Sequence, residues 1–207
     1  MFFKCNFCNS SNLILIWKGF PRVSNLKKFL KKKTDAYRCG NCKSIKLDHF
    51  KNYNIANFID GTYRKETVSS SEQKLSIYKE KKQFLNQINK YLYNKNILDF
   101  GCGDSELLKL LSNTNKKLVG LDLNKEFHYK EKKILVTDSF KKSDKFIKKF
   151  DAIVSFSVIG MIENPINLLK KFTKRLHKNG IIIIGDINSE DILVDYGKKN
   201  MKRFFID

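Results

Sequence analysis

Arginine is scarce in a chain that is otherwise strongly basic: 36 of the 41 basic residues are Lys and only 5 are Arg. Arginine's planar fork is the usual tool for specific phosphate and base recognition. The net charge of +20 therefore reads as a lysine-rich solvated surface and not as a dedicated nucleic-acid patch. One denser basic cluster, LKKFLKKK at residues 26–33, lacks interleaved Arg and has no stacking aromatic beyond Phe29. Long apolar runs are also missing. The longest purely aliphatic one, Ile181–Ile184, is far too short to cross a membrane, so no membrane partner is expected. The N-terminus MFFKCNFCNS shows no apolar stretch leading to a small-residue cleavage site, so a cytoplasmic protein is expected. Histidine is sparse as well. His49, His128 and His177 do not fall at the carboxyl end of any expected strand, and read as surface residues, not as bases. What the chain does have is 42% hydrophobic residues with 17 Phe among its 207, which excludes disorder. That length allows one full core with a small appendage.

Cysteine is unevenly spread, at 5, 8, 39, 42 and 102. Four of the five form two pairs, C-N-F-C and C-G-N-C. Two such knuckles can close a tetrahedral S4 zinc site of Cys5, Cys8, Cys39 and Cys42, with the residues between them making a small hairpin as in a zinc ribbon. Gly40 is expected to relieve the second turn. Disulfides fit poorly with a reducing compartment, and no strand-then-helix context supports a redox pair. Residues 1–50 thus read as a metal-stapled module too small to fold on apolar burial alone. Residues 51–71 read as a linker. Cys102 stands apart and reads as a small packing residue.

From residue 72 onward the pattern is α/β. A long amphipathic helix is expected from about Glu72 to Tyr93, with Leu75, Tyr78, Phe84, Leu85, Ile88, Tyr91 and Leu92 as its apolar face. Strands are expected at 96–101, 117–122, 133–137, 150–156 and 180–186, and helices near 104–113, 143–149 and 164–177. Asn164-Pro165 has the form of a helix start, and Asn179-Gly180 that of its end.

The centre of this pattern is ILDFGCGDSELLKLL, residues 97–111. A buried strand feeds an amphipathic helix through Gly101 and Gly103, where a missing Cβ permits a sharp turn and close approach to a ligand. Ligands of such folds bind beyond the carboxyl ends of the strands. A dinucleotide site wants a third glycine where this chain has Glu106, whose carboxylate repels a pyrophosphate. Asp99 and Asp104 add negative charge. The corner suits a ligand without phosphates that carries positive charge, and S-adenosylmethionine, with its amino group and sulfonium, fits. The next strand ends LVGLD, where Asp122 can accept from both ribose hydroxyls. The third ends VTDS, where Asp138 can accept from the adenine amino group. Both aspartates could also be ordinary strand-end caps.

Taken in order, ILDFGCG, LVGLD, VTDS and FDAIVSFSVIGMIENPINLLKKFTKRLHKNGIIIIGDI resemble the class I S-adenosylmethionine-dependent methyltransferases over residues 72–195. The resemblance implies a doubly wound Rossmann-like sheet, mostly parallel, of five strands in the order 3-2-1-4-5. It also implies that Gly101, Cys102 and Gly103 pass beneath the methionine part, which Asp99 helps to place. Asp122 would hold the ribose, with Leu123 also against the cofactor, Asp138 and Ser139 would lie near the adenine, and Ser155 and Phe156 would line the floor facing the acceptor. The N-terminal ribbon is similar to those of methyltransferases in polysaccharide and nucleotide-sugar pathways. The favoured acceptor is accordingly a small molecule such as a nucleotide sugar or glycan precursor. RNA, gripped by the ribbon and the basic cluster, is the alternative, as is a non-catalytic remnant.

Several family features are absent. Gly160-Met161 stands where many relatives carry Glu-His, and Ser105 where the corner often has a third glycine. Glu163 lies just past the fourth strand, but could equally serve the dipole of the following helix. No catalytic residue is assigned. Only twenty residues follow Ile187, too few for the usual further helix and edge hairpin, so C-terminal strands are expected to be lacking and activity to be weak. The fifth strand would then be an apolar edge open to self-association.

Overall fold

The computed structural model describes residues 4–19, 34–47 and 71–186. They fall into two compact units. The first holds the described N-terminal residues together with Gly160–Leu168 and Asp186; the second holds the described parts of Ile55–Ile159 and Leu169–Gly185. The basic cluster at 26–33, His49, the linker up to residue 70 and residues 187–207 lie outside the described residues.

In the N-terminal part of the first unit, β1 (Leu13–Gly19), β2 (Thr34–Cys39) and β3 (Ile45–Leu47) form an antiparallel sheet in that order. Each cysteine pair sits in a loop of the same construction. The N–H groups of Cys5 and Cys39 donate to the carbonyls of Ser10 and Ser44 at 2.9 Å, and their own carbonyls accept from Asn9 and Lys43 at 3.0 Å. Asn9 and Lys43 take φ of 59° and 63°, so these two residues make the left-handed turn. Gly40 has a different role from the one its position suggests. Its N–H donates to Asn12 O at 2.9 Å, and a Cβ there would lie 2.3 Å from the Asn12 side chain. Close approach, not the turn, requires the glycine.

The second unit is built on a six-stranded sheet in the order β6-β7-β5-β4-β8-β9. Five strands are parallel: β4 (Asn96–Phe100), β5 (Lys117–Leu121), β7 (Ile134–Thr137), β8 (Phe150–Phe156) and β9 (Leu176–Gly185). Their order is the one expected. A two-residue strand, β6 (Tyr129–Lys130), adds an antiparallel edge to β7 that is too short to leave a periodic signal. The inner strands read as continuous apolar runs because helices cover both faces, and Ile97, Leu98, Leu118, Val119, Ile153 and Val154 are all buried. The helices are α1 (Ser71–Leu92), α2 (Glu106–Leu111), α3 (Phe140–Phe146) and α4 (Pro165–Thr173), of which Leu169–Thr173 belong to this unit. Along α1, Phe84, Leu85, Ile88 and Leu92 pack against the core, while Leu75 and Tyr91 are exposed. Among the described residues β9 is the sheet's other edge.

Three elements depart most from their expected bounds. The third helix starts at Phe140 instead of near 143, because the Ser139 side chain accepts from Lys142 N and caps it. The last helix stops at Thr173, and β9 begins at Leu176, so that His177 and Asn179-Gly180 lie in a strand. A long-range tie explains this. Arg175 donates Nε and Nη2 to the two carboxylate oxygens of Asp144 at 2.8 and 2.7 Å, with its guanidinium 4.2 Å from the Phe140 ring centroid. Phe150 N then bonds Arg175 O at 2.8 Å and draws the chain into the sheet. Arg175→Ala is expected to lower the unfolding free energy by about 1–2 kcal/mol, the pair being partly exposed and therefore screened. Urea titration checks this, and an unchanged midpoint would show that the tie does not set the register.

Candidate functional site

The glycine corner follows from backbone needs. After β4, Gly101 takes φ of 77°, and its N–H donates to Leu121 O at 2.7 Å. A Cβ at Gly101 would come 2.2 Å from Val158 Cγ2, so only glycine fits. Gly103 and Ser105 take φ of 55° and 59°, three left-handed residues at alternate positions. Ser105 is tolerated in that conformation while its Oγ sits 3.1 Å from the Tyr129 hydroxyl. Cys102 turns inward over β5, where a Cβ on Gly120 would meet its Sγ at 2.5 Å. Burial raises its thiol pKa far above the ordinary range, which makes it a packing residue and no nucleophile.

Four carboxylates gather at this corner. Asp99 is 4% exposed, and burial pushes its carboxyl up to about 7; Lys81 opposes the shift, while Asp122 and Asp104 add to it. Asp122 is held on both oxygens: Oδ2 accepts from Gly103 N at 2.8 Å and Oδ1 from Asn124 N at 2.9 Å. His128, expected at the surface, is half-buried with Nε2 2.9 Å from Asp122 O, so it ties the loop after β5. Asp104 Oδ1 is 3.2 Å from Lys81 Nζ, and Glu106 Oε2 is 3.9 Å away. Lys81 is a site residue that the sequence does not single out, being one lysine of 36. Phe84 is another. Its ring lies 4.8 Å from that of Phe156 at the end of β8.

The remaining expected residues are distributed along the same sheet end. Asp122 N donates to Thr137 O at 3.0 Å, which sets Asp138 and Ser139 beside the Asp122 loop. A hydrogen bond from Lys142 at 3.0 Å holds the Asp138 carboxyl below its usual range, so part of its accepting capacity is already used. Ser139 serves as the cap of α3. Leu123 presents an exposed apolar side chain. Ser155 is buried, and its Oγ donates to Phe100 O at 3.2 Å, a tie between β8 and β4. Asn164 caps α4, accepting from Asn167 N at 3.0 Å, which leaves Glu163 exposed and outside that role.

The second cluster is the four cysteines. The sulfurs of Cys5, Cys8, Cys39 and Cys42 lie within 4.8 Å of one another, with Cys5–Cys42 and Cys8–Cys39 both at 3.5 Å. No pair is bonded. A tetrahedron with zinc–sulfur bonds of about 2.3 Å has sulfur–sulfur edges of about 3.8 Å, so the cage has the right size. Burial opposes ionisation of Cys5, yet hydrogen bonds from Ser44 and from the N–H groups of Cys8 and Phe7 bring its thiol down to about 6. Cys39 is lowered too, mainly by the Cys42 N–H, whereas Cys8, despite the Ser10 N–H, is pushed up to about 12 by burial and by the neighbouring sulfurs of Cys39, Cys42 and Cys5. Thiolate is the form that binds metal.

A parallel sheet whose strand order reverses beside β4, with a glycine corner and acids at the carboxyl ends of adjacent strands, defines a nucleotide-site α/β protein of the class I methyltransferase fold. The profile of the methyltransferase-domain family matches residues 72–204, and the chain belongs to that family. Over 108 residues it is 30% identical to the ubiquinone biosynthesis O-methyltransferase of Pelagibacter ubique (strain HTCC1062), covering 48% of this chain and 45% of that one. The match thus spans less than half the length of that relative. Among solved structures it is similar to a SAM-dependent methyltransferase from Geobacter sulfurreducens in complex with S-adenosyl-L-homocysteine (18% identity, 51% of this chain and 47% of that one, TM-score 0.38). It is also similar to a plantazolicin methyltransferase in complex with a monoazolic desmethylPZN analog and SAH (21% identity, 72% and 60%, TM-score 0.44). Among the described residues no helix is long and apolar enough to cross a membrane.

Proposed function

We propose that the chain binds S-adenosylmethionine beyond the carboxyl ends of β4, β5 and β7 and passes its methyl group to a small-molecule acceptor. The observation that carries this reading is the Asp122 carboxylate. Two backbone N–H groups fix its orientation, and each oxygen keeps a lone pair for a ribose hydroxyl. Around it, Gly101 and Gly103 let the backbone approach the ligand, and Leu123 offers an apolar face to the adenine. When bound, the cofactor supplies a methyl group already activated on a sulfonium, with a neutral leaving group. The protein then has to align more than to activate. Phe84 and Phe156 set two aromatic rings 4.8 Å apart at the β8 end of the site. No side chain here is assigned as a base, and a base is needed only where the acceptor must lose a proton.

A nucleotide sugar or glycan precursor is the acceptor class we favour, on the pairing of the methyltransferase domain with a ribbon module. The O-methyltransferase relative also acts in the biosynthesis of a small molecule, as its name states. In the N-terminal module we assign zinc to Cys5, Cys8, Cys39 and Cys42 on the size and softness of the S4 cage.

Calorimetry tests the cofactor reading. S-adenosylhomocysteine is expected to bind one site per chain with a dissociation constant in the micromolar range, about −8 kcal/mol. An absence of heat and of thermal stabilisation at millimolar ligand would overturn it.

A further inference from the structure

The lysines look scattered along the sequence, but the second unit sorts them by the direction of its sheet. Lys116-Lys117 leads into β5, Lys132-Lys133 into β7 and Lys148-Lys149 into β8, and all of these residues are exposed. Lys95 precedes β4 and Lys174 lies just before β9, exposed as well. The turns that leave the same strands are the reverse. Residues 101–106, 122–124, 138–140 and 157–159 hold no lysine and include Asp104, Glu106, Asp122 and Asp138. Lys81 and Lys142 do reach that end, where each pairs with an aspartate. Because β7, β5, β4, β8 and β9 are adjacent and parallel, their entries line up as one rim of cations. At about 4.8 Å per strand the rim is about 19 Å long.

Helix dipoles account for part of it. The helices α1, α2 and α3 end a few residues before β4, β5 and β8, and cations near helix C-termini are stabilising. Lys149 also serves the fold directly, donating to the carbonyls of Lys174 and Leu176 at 2.8 and 3.3 Å. Neither reason covers Lys132-Lys133, which follow the two-residue β6 and no helix. The acids at these entries, Glu131 and Asp151, do not balance the lysines, and Asp151 already accepts from Asn96 N at 2.8 Å. Tyr91 and Tyr93, 49% and 64% exposed, stand at the end of α1 just before Lys95.

A row of lysines without arginine offers charge but no planar fork for bidentate contacts, so it suits a partner whose negative charge has no fixed pattern. An anionic lipid surface is such a partner, and exposed tyrosines, each with an apolar ring and a polar tip, suit its headgroup layer. We propose that the amino-end rim of the sheet docks the protein on a bilayer containing anionic lipid. The shortness of the apolar runs excludes a membrane span, not attachment by surface charge. The carboxyl ends of β4, β5 and β7 lie about a strand's length away, about 17 Å, and carry the opposite charge, so the surface field turns them from the lipid. The inference holds whatever those ends bind.

Co-sedimentation of the full chain with vesicles tests this. Binding is expected to vesicles of phosphatidylcholine mixed with phosphatidylglycerol and not to phosphatidylcholine alone, and it should fall about tenfold or more from low to near-molar salt. Lys132→Glu/Lys133→Glu is expected to weaken it about tenfold or more, with an unchanged urea midpoint showing that the fold is intact. Lys125→Glu/Lys141→Glu makes the same change of charge on exposed residues at the acidic end, and should stay within about threefold of the parent. Should the charge reversal disturb folding, Lys132→Gln/Lys133→Gln gives the comparison with neutral side chains. Equal losses in both pairs would mean that net charge alone attracts the protein, and the rim would be no docking surface. Absence of binding to the anionic vesicles would overturn the proposal, as would rim-dependent binding of a single-stranded RNA oligomer in its place.

Discussion

Asp122→Ala is expected to weaken binding of S-adenosylhomocysteine by about 2–4 kcal/mol, because two hydrogen bonds from ribose hydroxyls to a charged acceptor are lost. Asp122→Asn should do nearly as much damage, although it is isosteric. Both carboxylate oxygens already face backbone donors, Gly103 N at 2.8 Å and Asn124 N at 2.9 Å. An amide can present its oxygen to only one of them, so its NH2 must confront the other N–H. The loop either shifts or leaves a buried donor unsatisfied, and the glycine corner moves with it. Stability and binding are separated by a second ligand pair. The parent should prefer adenosine to 2′,3′-dideoxyadenosine in competition with S-adenosylhomocysteine, and Asp122→Asn should lose that preference. If the asparagine variant keeps both affinity and preference, Asp122 is a loop anchor only.

The same aspartate shows what the sequence discloses and what it conceals. Its place at the end of LVGLD, after a buried apolar strand, follows from period and spacing. That its two oxygens are committed to Gly103 and Asn124 does not, because the first bond spans nineteen positions and depends on how β4 and β5 align. The parallel strands were legible because burial on both faces makes them unbroken apolar runs. The cysteine cage was legible because knuckle spacing is nearly independent of the rest of the fold. Lys81 was not, since nothing in the α1 sequence tells which of its lysines turns towards the corner. Nor was the true start of β9, where Leu176–Gly180 reads as a helix end until Asp144, thirty-one positions earlier, takes Arg175. The serines show the same limit in another way. Ser139 and Ser155 fall at strand ends as a cofactor site would have them, yet their hydroxyls engage Lys142 N and Phe100 O. Local sequence gives a side chain's address, and its bonding partner is decided by tertiary neighbours.

Loss of metal is expected to have the largest effect on the fold of the N-terminal module. Among its described residues only Cys5, Ala36 and Cys39 are buried apolar side chains, while Phe7, Ile14 and Leu15 are exposed. Two of those three buried residues are themselves ligands. Burial of this size cannot offset the backbone entropy of ordering three strands, at about 1–2 kcal/mol per residue. Without a cation the four sulfurs, all within 4.8 Å, also repel one another once ionised. The zinc proposed above would answer both problems, since apparent binding energies of about 10–16 kcal/mol at structural sites are folding energy. Elemental analysis of the purified protein should give one zinc per chain. Chelation, or Cys39→Ser, should release the amide protons of Cys5, Asn9, Cys39 and Lys43, whose hydrogen bonds build the two loops. Hydrogen exchange reads these amides one by one, with those of β4 as the internal reference. Metal-free protein in which the four loop amides stay protected would show that the module stands on packing alone, and the zinc assignment would be wrong.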